Sequence, residues 1–196
     1  MHERYTSFAH LADREILGRD YQVTLLDRPA SPVIVLAPHG GSIEIGTSEL
    51  ASLIAGAEHS LFSFEGLKPY GRNRELHITS HLFDHPQCLE LTASRDVIVA
   101  IHGCIGESHV YIGGLDTELK SLLGERLLGA GVATSVSGHR YPGRNPLNIC
   151  NRGRRARGVQ IEITNDLRRV EGRAVIGPAV RSAIDDYVAS MGTPAA

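Results

Sequence analysis

Short apolar runs of strand length alternate along this chain with segments of helical periodicity, and this alternation constrains the fold more than any other feature. It predicts an α/β protein with a mixed, mostly parallel open sheet of about eight strands, flanked by helices on both faces. We assign strands to Tyr21–Leu26, Val33–Ala37, Ser60–Phe64, Glu75–Thr79, Val97–His102, His109–Ile112, Ala133–Val136 and Gly158–Thr164. We assign helices to Phe8–Leu17, Ser48–Ala57, Pro86–Ala93, Asp116–Leu128 and Pro178–Ser190.

Two proline-containing regions refine this assignment. Pro178 suits the first turn of the last helix, because its missing N–H would be unpaired there anyway. The segment Gly138–Arg157 contains Pro142 and Pro146 and has no clear periodicity. A structureless loop of that length inside a compact domain is usually functional.

Size and charge bound the class of protein. A chain of 196 residues, 42% of them hydrophobic, fits one domain over residues 1–196, with a frayed tail from about residue 191. The formal charge of −2 argues against a general nucleic-acid or membrane-surface binder, which needs excess cations. No apolar run is long enough for a membrane span, and the first residues lack the pattern of a signal peptide. We therefore expect a cytoplasmic protein. We also expect it to be a monomer.

The three cysteines do not suggest a metal knuckle or a redox pair. Cys88, Cys104 and Cys150 are odd in number and widely spaced. We expect them to be reduced residues of the core.

Two of the predicted strands deliver a histidine to the same edge of the sheet. His39 follows Val33–Ala37, and His102 closes its own strand. Ligands of open α/β sheets bind beyond the carboxyl ends of the strands. Glu44 follows His39 across Gly-Gly-Ser-Ile, which is flexible enough to fold the carboxylate back and to wrap a metal. His39, Glu44 and His102 therefore form a candidate set of ligands for one Zn²⁺ per chain, with a fourth position for water.

Other histidines offer a competing site. His77, His81 and His85 are evenly spaced and would share one face of a helix, but the β-branched residues between them and the proline that follows disfavour a helix. We place His77 and His81 near the site but outside the metal ligands. His109 is a core or edge histidine, or an alternative ligand.

Glu162 is an acid within the apolar strand Gly158–Thr164. A carboxylate there is costly unless it is paired, metal-bound or catalytic. The functional interpretation is a general base that takes a proton from metal-activated water. The structural alternative is simple alternation, in which the polar residues face solvent while Val159, Ile161 and Ile163 face the core.

The long loop before this strand is strongly basic. It contains no acid from residue 140 to residue 157, and its six arginines are Arg140, Arg144, Arg152, Arg154, Arg155 and Arg157. The functional interpretation is an anion-binding lid beside the metal, because guanidinium forks match carboxylates. The alternatives are a solvated flexible loop and a nucleic-acid contact, although no nucleic-acid motif accompanies the arginines.

Several residues are candidates for contact with a substrate. Arg140 or Arg144 would stabilise an oxyanion. Asn145 and Asn148 either bond the substrate or build turns around the neighbouring proline, and Tyr141 is either a donor or a packing residue. The candidate substrate contacts are Arg144, Asn145, Asn148, Arg152, Tyr141 and His77.

Five segments, in this order and over nearly the whole chain, resemble the poly-γ-glutamate hydrolases of phages and bacteria: APHGGSIEIGTSELA, LHITSHLFDHP, VIVAIHGC, NPLNICNRG and GVQIEIT. The resemblance implies a zinc-carboxypeptidase-like fold with an eight-stranded mixed sheet. It implies zinc held by His39, Glu44 and His102, and a catalytic Glu162 in a QIEI pattern that N-formylglutamate amidohydrolases share. One departure is that carboxypeptidases place the first two ligands closer together, so the first ligand loop is longer here.

The resemblance also implies a function. It is that of a zinc-dependent hydrolase of γ-glutamyl amide bonds in poly-γ-glutamate, whose free α-carboxylates suit the arginines. Glu162 would take a proton from the metal-activated water and return it to the leaving amine. An anionic polymer or an acidic small molecule is thus the expected partner, and lysis would release the protein if its gene is phage-borne. The alternatives are an amidohydrolase or carboxypeptidase acting on another acidic amide, and a noncatalytic binder of anions or nucleic acid.

Overall fold

A mixed seven-stranded sheet forms the centre of the computed structural model, which describes residues 4–69 and 71–192. The strands are β1 (Tyr21–Leu26), β2 (Val33–Gly41), β3 (Ser60–Gly66), β4 (Val97–Cys104), β5 (Val110–Gly114), β6 (Thr134–Ser135) and β7 (Val159–Thr164). Their order in the sheet is β1-β3-β2-β4-β7-β5-β6. Strands β3, β2, β4 and β7 are parallel, β6 is parallel to β5, and β1–β3 and β5–β7 are antiparallel pairs. The predicted mixed, mostly parallel sheet is confirmed.

Helices cover both faces of this sheet. They are α1 (Phe8–Ala12), α2 (Thr47–Ala55), α3 (Pro86–Ala93), α4 (Thr117–Gly129) and α5 (Val170–Met191), with short 3₁₀ helices at Arg72–Leu76 and Ile149–Asn151. In β2, Val33 and Val35 pack in the core beneath α2, α4 and α5, whereas Ile34 and Leu36 pack in the core that includes α1, α3 and the 3₁₀ helices. Burial on both faces explains why the central strands are continuously apolar.

The segment predicted as a strand at Glu75–Thr79 is not one. Gly71, in the left-handed region with φ of 74°, begins the 3₁₀ helix Arg72–Leu76, and irregular chain follows it. Leu76 and Ile78 are buried against one face of the sheet. Their apolar character therefore reflects packing over the sheet, and the described part of the chain has seven strands instead of about eight.

The ends of two predicted helices also differ. Helix α1 ends at Ala12, whereas the prediction ran to Leu17. Helix α5 begins at Val170, so Pro178 lies inside the helix and not in its first turn. The helix continues because its face formed by Ile176, Val180 and their neighbours is buried in the core, which offsets the lost backbone hydrogen bond. The expected frayed tail falls mainly on residues 193–196, outside the described residues.

No helix in the described ranges is both long and apolar enough to cross a membrane. All three cysteines are buried and free, as expected.

Helices α4 and α5 are joined by a buried polar contact. Asp116, which is 1% exposed, caps α4 by accepting a hydrogen bond from the Leu119 N–H at 3.2 Å. Its other oxygen accepts a hydrogen bond of 2.7 Å from the Tyr187 hydroxyl of α5. Arg155 donates to the same hydroxyl at 2.8 Å. The buried carboxylate therefore depends on a tyrosine from the neighbouring helix.

We expect Tyr187→Phe to lower the free energy of unfolding by about 1–3 kcal/mol, because Asp116 loses a partner while it stays buried. Urea unfolding would measure the change. Tyr21→Phe is the matched control, since the Tyr21 hydroxyl has no hydrogen bond to the described residues. We expect the control to change stability by no more than about 0.5 kcal/mol. Equal effects of the two substitutions would contradict the role of Tyr187.

Candidate metal centre

His39 lies at the carboxyl end of β2, where the pairing with β3 shifts register between Ala37 and Gly40. Its imidazole is buried, with 2% exposure. A Cβ atom at Gly40 would lie 2.7 Å from Ser63 Oγ, and Gly41 has a positive φ of 59°. The glycines therefore permit close packing of β2 against β3 and α2.

The loop after β2 returns Glu44 to His39. The Glu44 N–H donates to His39 O at 2.9 Å, which closes the turn. Glu44 Oε1 lies 3.4 Å from His39 Nδ1, and Oε2 accepts a hydrogen bond of 2.7 Å from the Gly103 N–H. Burial acts to raise the pKa of Glu44, but His39 and His102 lower it to about 2. The carboxylate thus links the first ligand loop to β4.

Two imidazoles face each other beside this carboxylate. His39 Nδ1 lies 3.1 Å from His102 Nδ1, which is itself 3.9 Å from Glu44 Oε2. His39 Nε2 donates to Ile78 O at 2.8 Å, so its Nδ1 is the atom directed into the site. Burial and the neighbouring His39 lower the pKa of His102 to about 3. Burial also opposes protonation of His39, but Glu44 outweighs this and raises its pKa.

This donor set fits a metal ion. Two imidazole nitrogens and a carboxylate that converge on one point form a set of donor atoms that a cation can bind. A histidine that ligates a metal commonly donates its other N–H to a carbonyl oxygen, as His39 does. His39, Glu44 and His102, which the sequence predicts as ligands, are brought together by the structure.

His77 also comes close to the centre. Its ring stacks on His39 with 3.9 Å between centroids, and its Nε2 lies 3.8 Å from Glu44 Oε1. One ligand atom each from His39, Glu44 and His77 lie within 4.8 Å of one another. Four side chains are therefore near enough to one another to be candidate metal ligands, and one of them is His77, which the sequence places outside the ligand set.

Glu162 lies beside the candidate metal ligands. In the sheet it is opposite His102 of β4 on one side and Tyr111 of β5 on the other. Val159, Ile161 and Ile163 face the core, so the strand does alternate. Its polar face opens not to bulk solvent but into a cavity of about 490 Å³, which His39, Glu44 and His102 also line. Burial, and then the charge of Glu44, raise the pKa of Glu162 to about 8.

Gln160 is a cavity residue that the sequence prediction missed. Its Nε2 lies 3.3 Å from Glu162 Oε1, and its Oε1 accepts a hydrogen bond of 2.7 Å from Asn148 Nδ2. Asn148 Oδ1 in turn accepts from the Cys150 N–H at 3.2 Å, and Asn145 Oδ1 accepts from the Leu147 N–H at 2.9 Å. Both asparagines line the cavity, but their hydrogen bonds build turns and orient Gln160. The available signal was that Gln160 shares the strand face of Glu162.

The basic loop divides into two parts. Arg140 and Arg144 line the cavity together with Tyr141. Arg140 Nε donates to the Tyr141 hydroxyl at 3.1 Å, and the guanidinium carbon lies 5.2 Å from the centre of that ring.

The other arginines of the loop lie elsewhere. Arg154 lies 3.5 Å from Asp96, and Arg157 lies 3.5 Å from Asp116, near Arg155. Arg152 follows the 3₁₀ helix Ile149–Asn151 and is not among the described residues that line the cavity. Of the six arginines of the loop, Arg140 and Arg144 therefore line the cavity, whereas Arg152, which the sequence predicts as a substrate contact, is not among its described lining residues.

Of the remaining predicted histidines, one lines the cavity and two lie outside it. His81 lines the cavity. His85 instead packs on Phe8, with 4.1 Å between ring centroids, and His109 Nε2 lies 2.8 Å from Ser135 Oγ of β6. Residues 77–85 contain no helix, as the β-branched residues predict. His109 thus lies beside β6 and is not among the described residues that line the cavity.

A family model and two curated relatives match this chain in sequence. The family model for poly-gamma-glutamate hydrolase matches residues 5–171. Two relatives from Bacillus subtilis (strain 168) are the SPbeta prophage-derived UPF0714 protein YoqZ, 37% identical over 171 residues, and the UPF0714 protein YndL, 38% identical over 168 residues. These alignments cover 85% and 84% of this chain but 61% and 65% of the relatives. The chain therefore spans less than two thirds of their length.

Solved structures resemble this fold closely. A bacteriophage poly-gamma-glutamate hydrolase has a TM-score of 0.91 and 29% identity, covering 96% of this chain and 100% of its own. Zinc-free YndL has a TM-score of 0.84 and 32% identity, covering 98% and 100%. N-formylglutamate amidohydrolase from Ralstonia eutropha JMP134 shares the fold alone, with a TM-score of 0.55 and 15% identity, covering 87% and 99%.

The packing after His39 generates a prediction. We expect Gly40→Ala to reduce the free energy of unfolding by about 1–3 kcal/mol, because a methyl group must displace the Ser48 and Ser63 hydroxyls. Ser48 Oγ accepts from the Gly41 N–H at 2.8 Å, so displacement also breaks the local bonding. Thermal unfolding would measure the loss. Gly129→Ala is the control, since no atom beyond its chain neighbours and its own helix backbone lies within 4 Å of an added Cβ. An unchanged free energy of unfolding in Gly40→Ala would contradict the close packing of β2 against β3.

Proposed function

Because this chain belongs to the poly-gamma-glutamate hydrolase family, we propose that it hydrolyses γ-glutamyl amide bonds in poly-γ-glutamate. The observation that carries the proposal is the convergence of two histidine Nδ1 atoms and the Glu44 carboxylate in the cavity that holds Glu162. A metal centre beside a carboxyl group is the arrangement that metal-assisted amide hydrolysis requires.

We propose that His39, Glu44 and His102 hold one Zn²⁺ per chain. Histidine nitrogens with one carboxylate are a ligand set typical of catalytic zinc, which keeps a further position open. His102 is preferred to His77 because its Nδ1 faces that of His39 at 3.1 Å and it is buried, whereas His77 Nε2 lies 3.8 Å from Glu44 Oε1 and its side chain is 36% exposed. When bound, Zn²⁺ supplies Lewis acidity, which lowers the pKa of water and polarises an amide carbonyl.

Glu162 moves the proton in this proposal. Its carboxylate takes a proton from the attacking water, whose oxygen bonds to the amide carbon. As the carbon–nitrogen bond breaks, Glu162 returns the proton to the leaving amine. Gln160 holds the carboxyl group in place from one side, within a chain of hydrogen bonds that extends to Asn148.

Arg140, Arg144 and Tyr141 are proposed to bind the substrate. The two arginines are exposed at the rim of the cavity and form no ion pair within the described ranges. Every residue of poly-γ-glutamate carries a free α-carboxylate, which a guanidinium group can bind through two hydrogen bonds. Arg140, which Tyr141 steadies, is the candidate donor to the oxyanion of the transition state.

Metal content tests the ligand assignment. Elemental analysis should find about one zinc per wild-type chain, as a single catalytic site requires. We expect His39→Ala, Glu44→Ala and His102→Ala to lose the metal and His77→Ala to retain it. His109→Ala is the control, because this histidine is outside the cavity. Absence of metal from the wild type, after purification without chelators and reloading with zinc, would remove the proposed centre.

Glu162→Gln tests the proposed general base. We expect turnover of poly-γ-glutamate to fall by about 10²–10⁴-fold, because the amide cannot accept the proton, while zinc content stays unchanged. Glu107→Gln, an exposed change, should retain full activity. Product length can be followed by gel filtration. Undiminished turnover in Glu162→Gln would exclude this role, and cleavage of small N-acyl glutamates alone would exclude the polymer as substrate.

A further inference from the structure

Arg168 differs from the other buried cations of the described chain. Lys68 and Arg95 are 7% and 5% exposed, and each contacts a carboxylate: Lys68 Nζ lies 2.6 Å from Glu15, and Arg95 contacts Asp27. Arg168 is 8% exposed, yet no carboxylate among the described residues lies within 4 Å of its guanidinium. A buried cation without a direct partner is costly and calls for another explanation.

The guanidinium group bridges separate segments of the chain. Arg168 Nε donates to Ile163 O, at the end of β7, at 3.0 Å. Its Nη1 donates to Ile45 O, in the loop after β2, and its Nη2 donates to the side chain of Asn165. One planar group therefore connects the end of β7 to the loop of Glu44.

The same group lies against β4 at a glycine. A Cβ atom at Gly103 would be 2.6 Å from the guanidinium carbon of Arg168. Gly103 is also the residue whose N–H donates to Glu44 Oε2 at 2.7 Å. The position therefore suits glycine because the guanidinium occupies the space of a side chain.

Each of these contacts is one residue away from the metal centre or the proposed base. Ile45 follows Glu44, Gly103 follows His102, and Ile163 follows Glu162. We propose that Arg168 is the positioning residue of the metal centre, which fixes these three segments in the one arrangement that lets the ligands converge. This inference rests on the proposed metal site.

Charge and geometry predict opposite effects of Arg168 on a metal. A cation near the site repels Zn²⁺, so removal of its charge alone would tighten zinc binding. A bridge that holds the ligands in place has the contrary effect, because its loss lets them move apart. The sign of the change in zinc affinity therefore separates the two roles.

The experiment measures the zinc dissociation constant of the full chain by competition with a chelating dye. We expect Arg168→Met to weaken zinc binding by about 10- to 100-fold, the range known for residues that orient metal ligands. Arg168→Lys should weaken it similarly, because an ammonium group keeps the charge but cannot bridge the segments. Arg95→Met is the matched control, since it removes a buried arginine that contacts Ser60 and Asp27. The control should lower the melting temperature of the apoprotein without changing zinc affinity.

Gly103→Ala provides a test that keeps the arginine. The methyl group added at residue 103 should displace the Arg168 guanidinium and weaken zinc binding. Adding Arg168→Met to this variant should cause little further loss of zinc affinity, because both substitutions break the same contact. Unchanged or tighter zinc binding by Arg168→Met would overturn the inference, as would equal weakening in Arg95→Met. If the wild type itself binds no zinc, the proposed metal centre fails as well. If the wild type binds zinc and the Arg168 variants bind it with the same affinity, the role of Arg168 alone is refuted.

Discussion

Burial of the parallel strands β2 and β4 on both faces, and of β7 on one face, is the constraint on which the rest of the structure depends. Because apolar cores lie above and below β2 and β4 and against one face of β7, polar side chains are confined to the carboxyl ends of these strands or to the face of β7 that opens into the cavity. His39 and His102 follow the first rule, and Glu162 follows the second. The chemistry of the site is thus concentrated at one edge of the sheet.

Polar groups at that edge need partners, and irregular segments supply them. The chain after the 3₁₀ helix Arg72–Leu76 provides Ile78 O, which fixes the orientation of His39, and it brings His77 against the same imidazole. A regular strand here would pair its carbonyl groups within the sheet. The absence of a strand at residues 75–79 therefore leaves Ile78 O free to orient the His39 imidazole.

Features encoded by local patterns could be predicted from the sequence, and features that depend on distant pairing could not. The sheet, its covering helices and the meeting of His39, Glu44 and His102 follow from periodicity and strand-end placement. Pro178 was misplaced because tertiary burial of α5 outweighs a local breaker. Arg168 carries no local signal of its role, since that role arises from partners in the loop after β2 and on β4. Gln160 shares the strand face of Glu162, but its bond to Asn148 of a remote loop could not be read from the sequence.

Ion pairs with aspartates separate the arginines of the basic loop into two groups. Arg155 and Arg157, at the end of the loop before β7, lie within 4 Å of Asp116, which is buried at the start of α4. Arg154 lies 3.5 Å from Asp96. Arg140 and Arg144 remain at the cavity, where the Glu44 carboxylate supplies negative charge at the inner wall. A cation is therefore favoured deep in the cavity and an anion at its rim, so a metal and an acidic substrate can occupy adjacent positions without competing for the same groups.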